Sequence, residues 1–142
     1  MRHPKDIGDT STLAIMLALQ TQGYSVYMPF GENTRTDLIV DYGGRLSRVQ
    51  CKTGRLRNGV VSFATCSSYA HHPNPKITKL DYEGEVDEFA VFCPELGAVY
   101  MLPLDGLDAK RRGSLRVDPP KNNQAKGVRL AAAYEIARVD LY

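Results

Sequence analysis

The sequence predicts an α/β fold on three observations. A wide apolar arc at helical spacing (Leu13, Ile15, Met16, Leu17, Leu19) opens the chain. Short runs rich in β-branched and aromatic residues follow, bounded by glycine, proline and asparagine. An alanine-rich stretch, "VRLAAAYEIARV", predicts a closing helix. A length of 142 residues allows one real core and is short for two ordinary domains. With no internal repeat or linker, residues 1–142 are expected to form one domain.

Asp9 or Thr10 can cap the first helix, which runs through "TSTLAIMLALQTQ" and stops at Gly23. An arc this wide belongs to a helix packed on a sheet. "YSVYMPF" reads as a strand ending at Pro29, and "GENTR" as a loop. "TDLIVDY" and "RLSRVQCKT" are two strands joined at Gly43-Gly44, a two-residue hairpin signal. "VVSFAT" is a further strand after the Asn58-Gly59 turn. Ser67 to Gly84 is loop-like, and a loop of that length is more often functional than a spacer. "VDEFAVFCP" and "AVYMLPL" pair around Glu95-Leu96-Gly97. "DGLDAKRRG" predicts a short helix, "SLRV" a short strand and "DPPKNNQAKG" an exposed basic loop. Tyr24, Tyr27, Phe89, Phe92 and Tyr100 read as core strand residues.

Composition narrows the setting. A content of 43% hydrophobic and 24% charged residues is that of a soluble globular chain. No apolar run approaches the roughly 18 residues needed to cross a membrane. The longest, "LAIMLAL", lies behind polar residues, so no signal peptide is expected. Cys51, Cys66 and Cys93 are odd in number and lack Cys-x-x-Cys spacing, which suits buried thiols in a reducing compartment. A cytoplasmic or nucleoid-associated location, without secretion, is the expectation. His71 and His72 diverge in an extended segment and make a poor metal pair.

Charge is banded. From Tyr42 to Leu80 there are basic residues and no acid; from Asp81 to Asp108 acids and no lysine or arginine; from Lys110 onward basic residues again dominate. Banding of this kind suggests an electropositive surface for a polyanion. Like-charged solvated faces also arise without a partner.

The hairpin supplies a candidate site. With Gly43 and Gly44 at the turn, Tyr42 opposes Arg45 and Asp37 falls opposite Gln50, with β-carbons about 5 Å apart on one face. Lys52, two residues on, shares that face, while Leu38, Val40, Val49 and Cys51 point to the other. Asp37 offers a carboxylate, Gln50 an amide oxygen and Cys51 a backbone carbonyl, a donor set for Mg²⁺ or Mn²⁺. Lys52 could orient a water and stabilise charge growing on phosphorus. From spacing alone, a solvated hairpin face with ordinary polar residues is the more economical reading.

A resemblance reverses that balance. The order helix, strand, hairpin, with Asp37 on one arm and "VQCKTGR" on the other, resembles the PD-(D/E)xK nuclease superfamily and implies its restriction-endonuclease-like core, a mixed central sheet flanked by helices. "PFGENTRTDLIVD", "RVQCKTGRLRNGVV" and "PPKNNQAKGVRLAAAYEI" are similar, more closely, to group I intron-encoded homing endonucleases. The resemblance implies Asp37 and Gln50 as metal-site residues, Lys52 as the catalytic lysine, duplex DNA as substrate and assembly into a homo-oligomer, dimer or tetramer. The family usually carries a glutamate on the first helix, where this chain has Thr12; Asp9, one turn earlier, is the candidate replacement.

Arg55 and Arg57 could hold backbone phosphates or make an ordinary exposed basic turn, and Arg35 could face a phosphate or pair with Glu32. In "KNNQAKGVR", Lys121, Lys126 and Arg129 suit phosphate contacts, and Asn122, Asn123 and Gln124 suit base edges. The expected function is metal-dependent endonucleolytic hydrolysis of duplex DNA. Alternatives are a structure-selective nuclease such as a Holliday junction resolvase, or a DNA-binding module weakened by loss of the helix acid.

Overall fold

The structure, a computed structural model, describes residues 3–31, 34–65, 86–104, 112–118 and 129–140. Helix α1 runs from Pro4 to Thr21, beginning ahead of the expected cap. Pro4 is the reason: proline at the first helical position has its φ preset and lacks an N–H that would have no partner there. His3 is the cap, its Nδ1 accepting the Lys5 N–H at 3.2 Å. Asp9 and Thr10 therefore lie inside the second turn. Gly23, at φ 91°, ends the helix as expected. The buried residues Ser11, Ala14, Ile15, Ala18 and Leu19 make one stripe against the sheet.

The strands are β1 (Ser25–Tyr27), β2 (Leu38–Asp41), β3 (Leu46–Thr53), β4 (Arg55–Arg57), β5 (Val60–Ala64), β6 (Glu88–Cys93), β7 (Ala98–Pro103), β8 (Arg112–Arg116) and β9 (Glu135–Arg138). They form a six-stranded sheet, β1-β2-β3-β6-β7-β9, and a three-stranded sheet, β4-β5-β8. β3 and β6 are parallel and the other pairs antiparallel, so the central sheet is mixed. The helix covers one face, over Leu38, Val40, Val49, Ala90 and Phe92. The small sheet covers the other, where Val61, Phe63 and Leu115 meet Phe89, Val91 and Tyr100. Among the described residues α1 is the only α-helix. The chain passes between sheets at Gly54, where an added β-carbon would lie 2.7 Å from Val61 Cγ1 and 2.8 Å from Val91 Cγ1. Only glycine lets the sheets approach so closely there.

The expected C-terminal helix is not formed. Its sequence gives a 3-10 turn, Ala131–Ala133, and then β9. β9 covers the edge of β7, with the Met101 N–H donating to Tyr134 O at 3.0 Å and the Val139 N–H to Gly97 O at 2.7 Å. Ile136 and Ala137 then pack against the helix-side core. Ladder bonds and burial outweigh alanine's helix preference, which is worth at most about 0.7 kcal/mol per residue against ordinary residues.

Phe89, Phe92 and Tyr100 are core residues as expected, whereas Tyr24 and Tyr27 are exposed because β1 is the edge strand. "SLRV" falls in β8. The segments Ser67 to Gly84, Asp105 to Arg111 and Pro119 to Val128 lie outside the described residues, as do His71, His72 and Cys66.

Candidate active site

The hairpin between β2 and β3 has the expected register. Gly43 and Gly44 adopt φ 88° and 103°, and the Tyr42 N–H donates to Arg45 O at 2.8 Å. Asp41 Oδ1 accepts the N–H groups of Gly43 and Gly44 at 2.9 and 2.6 Å, which locks the turn. Leu38 pairs with Val49, so Asp37, just before β2, stands opposite Gln50. Its N–H donates to Val49 O at 2.8 Å.

Leu38, Val40 and Val49 face α1. By strand alternation Asp37, Gln50 and Lys52 take the opposite face. Lys52 Nζ confirms this, lying 5.6 Å from the ring centroid of Phe89 in the core on the small-sheet side. Cys51 points the other way and packs against the helix-side core.

Polar satisfaction at this edge is incomplete. Asp37 Oδ2 accepts the Cys51 N–H at 2.8 Å. Burial nonetheless raises its carboxyl above the ordinary value, with the Cys51 N–H and the Lys52 charge opposing that rise. Gln50 Oε1 is buried without a hydrogen-bond partner among the described residues. Leaving such an oxygen unsatisfied costs about 1–3 kcal/mol. N–H and C=O of one strand residue point the same way, so the Cys51 carbonyl faces the Asp37 side too. A half-desolvated carboxylate, an orphaned amide oxygen and a carbonyl fit a hard divalent cation, which takes oxygen donors. The set holds one carboxylate: among the described residues no group of three or more His, Cys, Asp and Glu is placed to hold a metal.

On the helix, Asp9 is exposed, and Thr12 places its hydroxyl beside the Cys51 thiol. Burial pushes that thiol far up, so it stays protonated. Thr12 Oγ1 also donates to Gly8 O at 3.1 Å. Ser11 Oγ and Thr53 Oγ1 share a hydrogen bond at 2.5 Å, joining α1 to the end of β3. Sequence reading overlooked this hydroxyl pair, although Ser11 falls on the stripe of Ala14, Ile15, Ala18 and Leu19, a position that signals burial.

The expected DNA-contacting residues divide. Arg57 is exposed on β4. Arg55, beside it, donates to Glu95 Oε2 at 3.2 Å. Arg35 is half-buried just ahead of Asp37, and Arg129 is half-buried with its carbonyl accepting the Arg116 N–H at 2.8 Å. Lys121, Asn122, Asn123, Gln124 and Lys126 lie outside the described residues. The charge bands interlock in space: Arg48 pairs with Asp87 and Arg55 with Glu95, so part of the basic run is neutralised by the acidic one.

A helix on a mixed sheet, with an acid opposite a glutamine–x–lysine strand, defines a nuclease-like α/β core. The profile of the PD-(D/E)XK endonuclease family matches residues 2–137, and the chain belongs to that family. Among solved structures the bacterial homing endonuclease I-Ssp6803I is similar, with a TM-score of 0.65 at 18% identity over 95% of this chain and 88% of its own. That likeness shows a shared fold. The Holliday junction resolvase Hjc of Archaeoglobus fulgidus matches with a TM-score of 0.46 at 12% identity, over 77% of this chain and 83% of its own. No curated protein matches the chain at a comparable level.

Proposed function

We propose that the chain is a Mg²⁺- or Mn²⁺-dependent endonuclease that hydrolyses phosphodiester bonds in duplex DNA and works as a homo-oligomer. The observation that carries the reading is the buried, unpartnered Gln50 Oε1 on the edge shared with the desolvated Asp37 carboxylate and with Lys52. A stability-optimised hairpin would not keep an amide oxygen in that state, whereas a cation would satisfy it.

Asp37, Gln50 and the Cys51 carbonyl would hold the ion, which when bound polarises the scissile phosphate and acidifies an attacking water. Asp37 must be deprotonated to serve, and Lys52 favours that state. The Lys52 ammonium lies on the same face to stabilise charge growing on the phosphate and to orient the nucleophile. Arg57 offers an exposed cation for the DNA backbone, and Arg35 and Arg55 flank the hairpin. One chain of this size spans little of a groove, so two or more copies would divide a site between them.

Cleavage of duplex DNA with Mg²⁺, compared between the parent and Lys52→Ala, tests the reading. Cutting by the parent, with kcat lowered about 100- to 1,000-fold in the variant and binding retained, is the expected result. Undiminished cutting by Lys52→Ala removes the mechanism. Thr12, a neutral hydroxyl where the resemblance implies a helix acid, favours a second reading, a DNA-binding module without catalysis. Binding without cleavage by either protein would select it.

A further inference from the structure

From Leu13 to Gly31 the chain carries no charged residue, although 24% of the whole is charged. Part of this stretch is core, but much is surface. Leu13 and Leu17 lie one turn apart on the outer side of α1, and Leu13 is 65% exposed. Tyr27 on β1 is 56% exposed, Met28 is 65% exposed and Phe30 stands fully in solvent. Leu17 and Tyr27 line one open groove with Met16, Gln20, Tyr24 and Val26. Charge returns at the rim, where Arg45 lies 4.7 Å from the Tyr42 ring and Tyr42 meets Tyr24 edge-on.

The groove borders an open sheet edge. β1 is the end strand of the six-stranded sheet and pairs only with β2 among the described strands. Folded chains guard such edges with lysines, prolines, bulges or inward charges. Ser25, Val26 and Tyr27 carry no charge, proline or bulge, so only the shortness of this three-residue strand guards the edge, and Pro29 comes after it ends.

We propose that this face, β1 with the outer side of the C-terminal half of α1 from Leu13 on, docks a second copy of the chain through antiparallel pairing of the two β1 strands about a two-fold axis. Three points select that occupant. A face without lysine or arginine offers nothing to a phosphate backbone, so DNA is not what covers it. A two-fold contact sets a patch against itself, where like charges would repel, and this patch has none. Antiparallel pairing joins an edge strand to its own copy with full exchange of backbone bonds, while Leu13, Leu17 and Tyr27 leave water on both sides. The proposal rests on the homo-oligomer part of the proposed function and stands apart from the chemistry at Asp37: a monomeric parent that still cuts DNA would sink the first and leave the second.

Sedimentation equilibrium of the full chain tests it, with Leu17→Glu and Tyr27→Glu as the variants. Both side chains are exposed in the single chain, so the variants should fold, read as a parent-like far-ultraviolet circular dichroism spectrum, and melt lower only by what association contributed. The parent is expected to be a dimer or higher even oligomer, with self-association through this face weakened about thirtyfold or more in each variant. Arg57→Glu, on the small sheet, should leave the mass unchanged. A monomeric parent, or an oligomer that neither variant alters, overturns the proposal. Weakened DNA binding with unchanged mass also overturns it, since the face would then serve nucleic acid.

Discussion

The two ends of β3 carry polar groups of similar kind in opposite states. At the hairpin end, Glu88 Oε1 accepts the Tyr42 hydroxyl at 2.5 Å and the Ser47 hydroxyl at 2.7 Å. Asp87 takes the Arg48 N–H at 2.8 Å, Nε at 3.1 Å and Nη2 at 3.0 Å. Those bonds from Arg48 hold the Asp87 carboxyl below its ordinary value, and burial beside Glu88 pushes the Tyr42 phenol up. At the far end the Asp37 carboxyl is raised by burial, and Gln50 Oε1 has no donor. One strand is thus satisfied where it builds structure and unsatisfied where we propose that the metal binds. Free energy withheld from the fold at Gln50 and Asp37 is available to a ligand.

Substitutions can break that contrast, and the largest effect belongs to Asp37→Asn. The amide keeps the size of the side chain but not its charge, so cleavage should fall by about 100-fold or more, read as kcat on duplex DNA with Mg²⁺. Without divalent metal the same variant should melt above the parent at neutral pH. The sign follows from linkage: with its folded pKa raised, ionised Asp37 opposes folding above that pKa and does not below its ordinary value of 3.8. The gap in melting temperature should therefore close as pH falls towards that value. A variant that melts lower than the parent at neutral pH would show that the carboxylate is structural after all.

Gly54→Ala comes next, because the added methyl meets Val61 and Val91. A loss of about 1–3 kcal/mol in denaturant unfolding is expected. Mg²⁺ itself should raise the parent's melting temperature and leave that of Asp37→Asn unmoved. At tenfold the dissociation constant the gain is about 1.4 kcal/mol. Equal shifts in the two proteins would place the ion elsewhere.

At the satisfied end the effects are smaller and reversed. Glu88→Gln should cost about 1 kcal/mol, since the Tyr42 and Ser47 hydroxyls lose a charged acceptor, with Mg²⁺-dependent cleavage per folded molecule unchanged. Asp87→Asn should cost less, a few tenths of a kcal/mol, because its pair with Arg48 is largely exposed. Its folded pKa is lowered, so its contribution is present above the ordinary carboxylate value and is lost as pH falls through the folded one. Urea titrations at neutral and acid pH would resolve the two directions.

How much of this was legible beforehand depended on range. Asp37, Gln50 and Lys52 could be set on one face from the sequence, and the register confirms it, because a two-residue glycine turn and a period of two are local facts. Gly23 and the β6–β7 turn were likewise readable. The start of α1 was misjudged because Asp9 and Thr10 look like caps, while Pro4 and His3 lay outside the apolar arc. Thr12 was noticed only as a missing acid; its contact with Cys51 needed the helix docked on the sheet.

The sequence by itself determined the central hairpin, the side on which its polar groups stand, and the apolar stripe of the first helix, since each follows from neighbours a few residues apart. The tertiary structure alone decided that "AAAYEIAR" turns and extends along β7, that β1 is left as an edge with Tyr27 in solvent, and that Glu88 finds donors while Gln50 does not. Those outcomes depend on which strand edges and donors remain open once distant segments have met. No local preference encodes that competition.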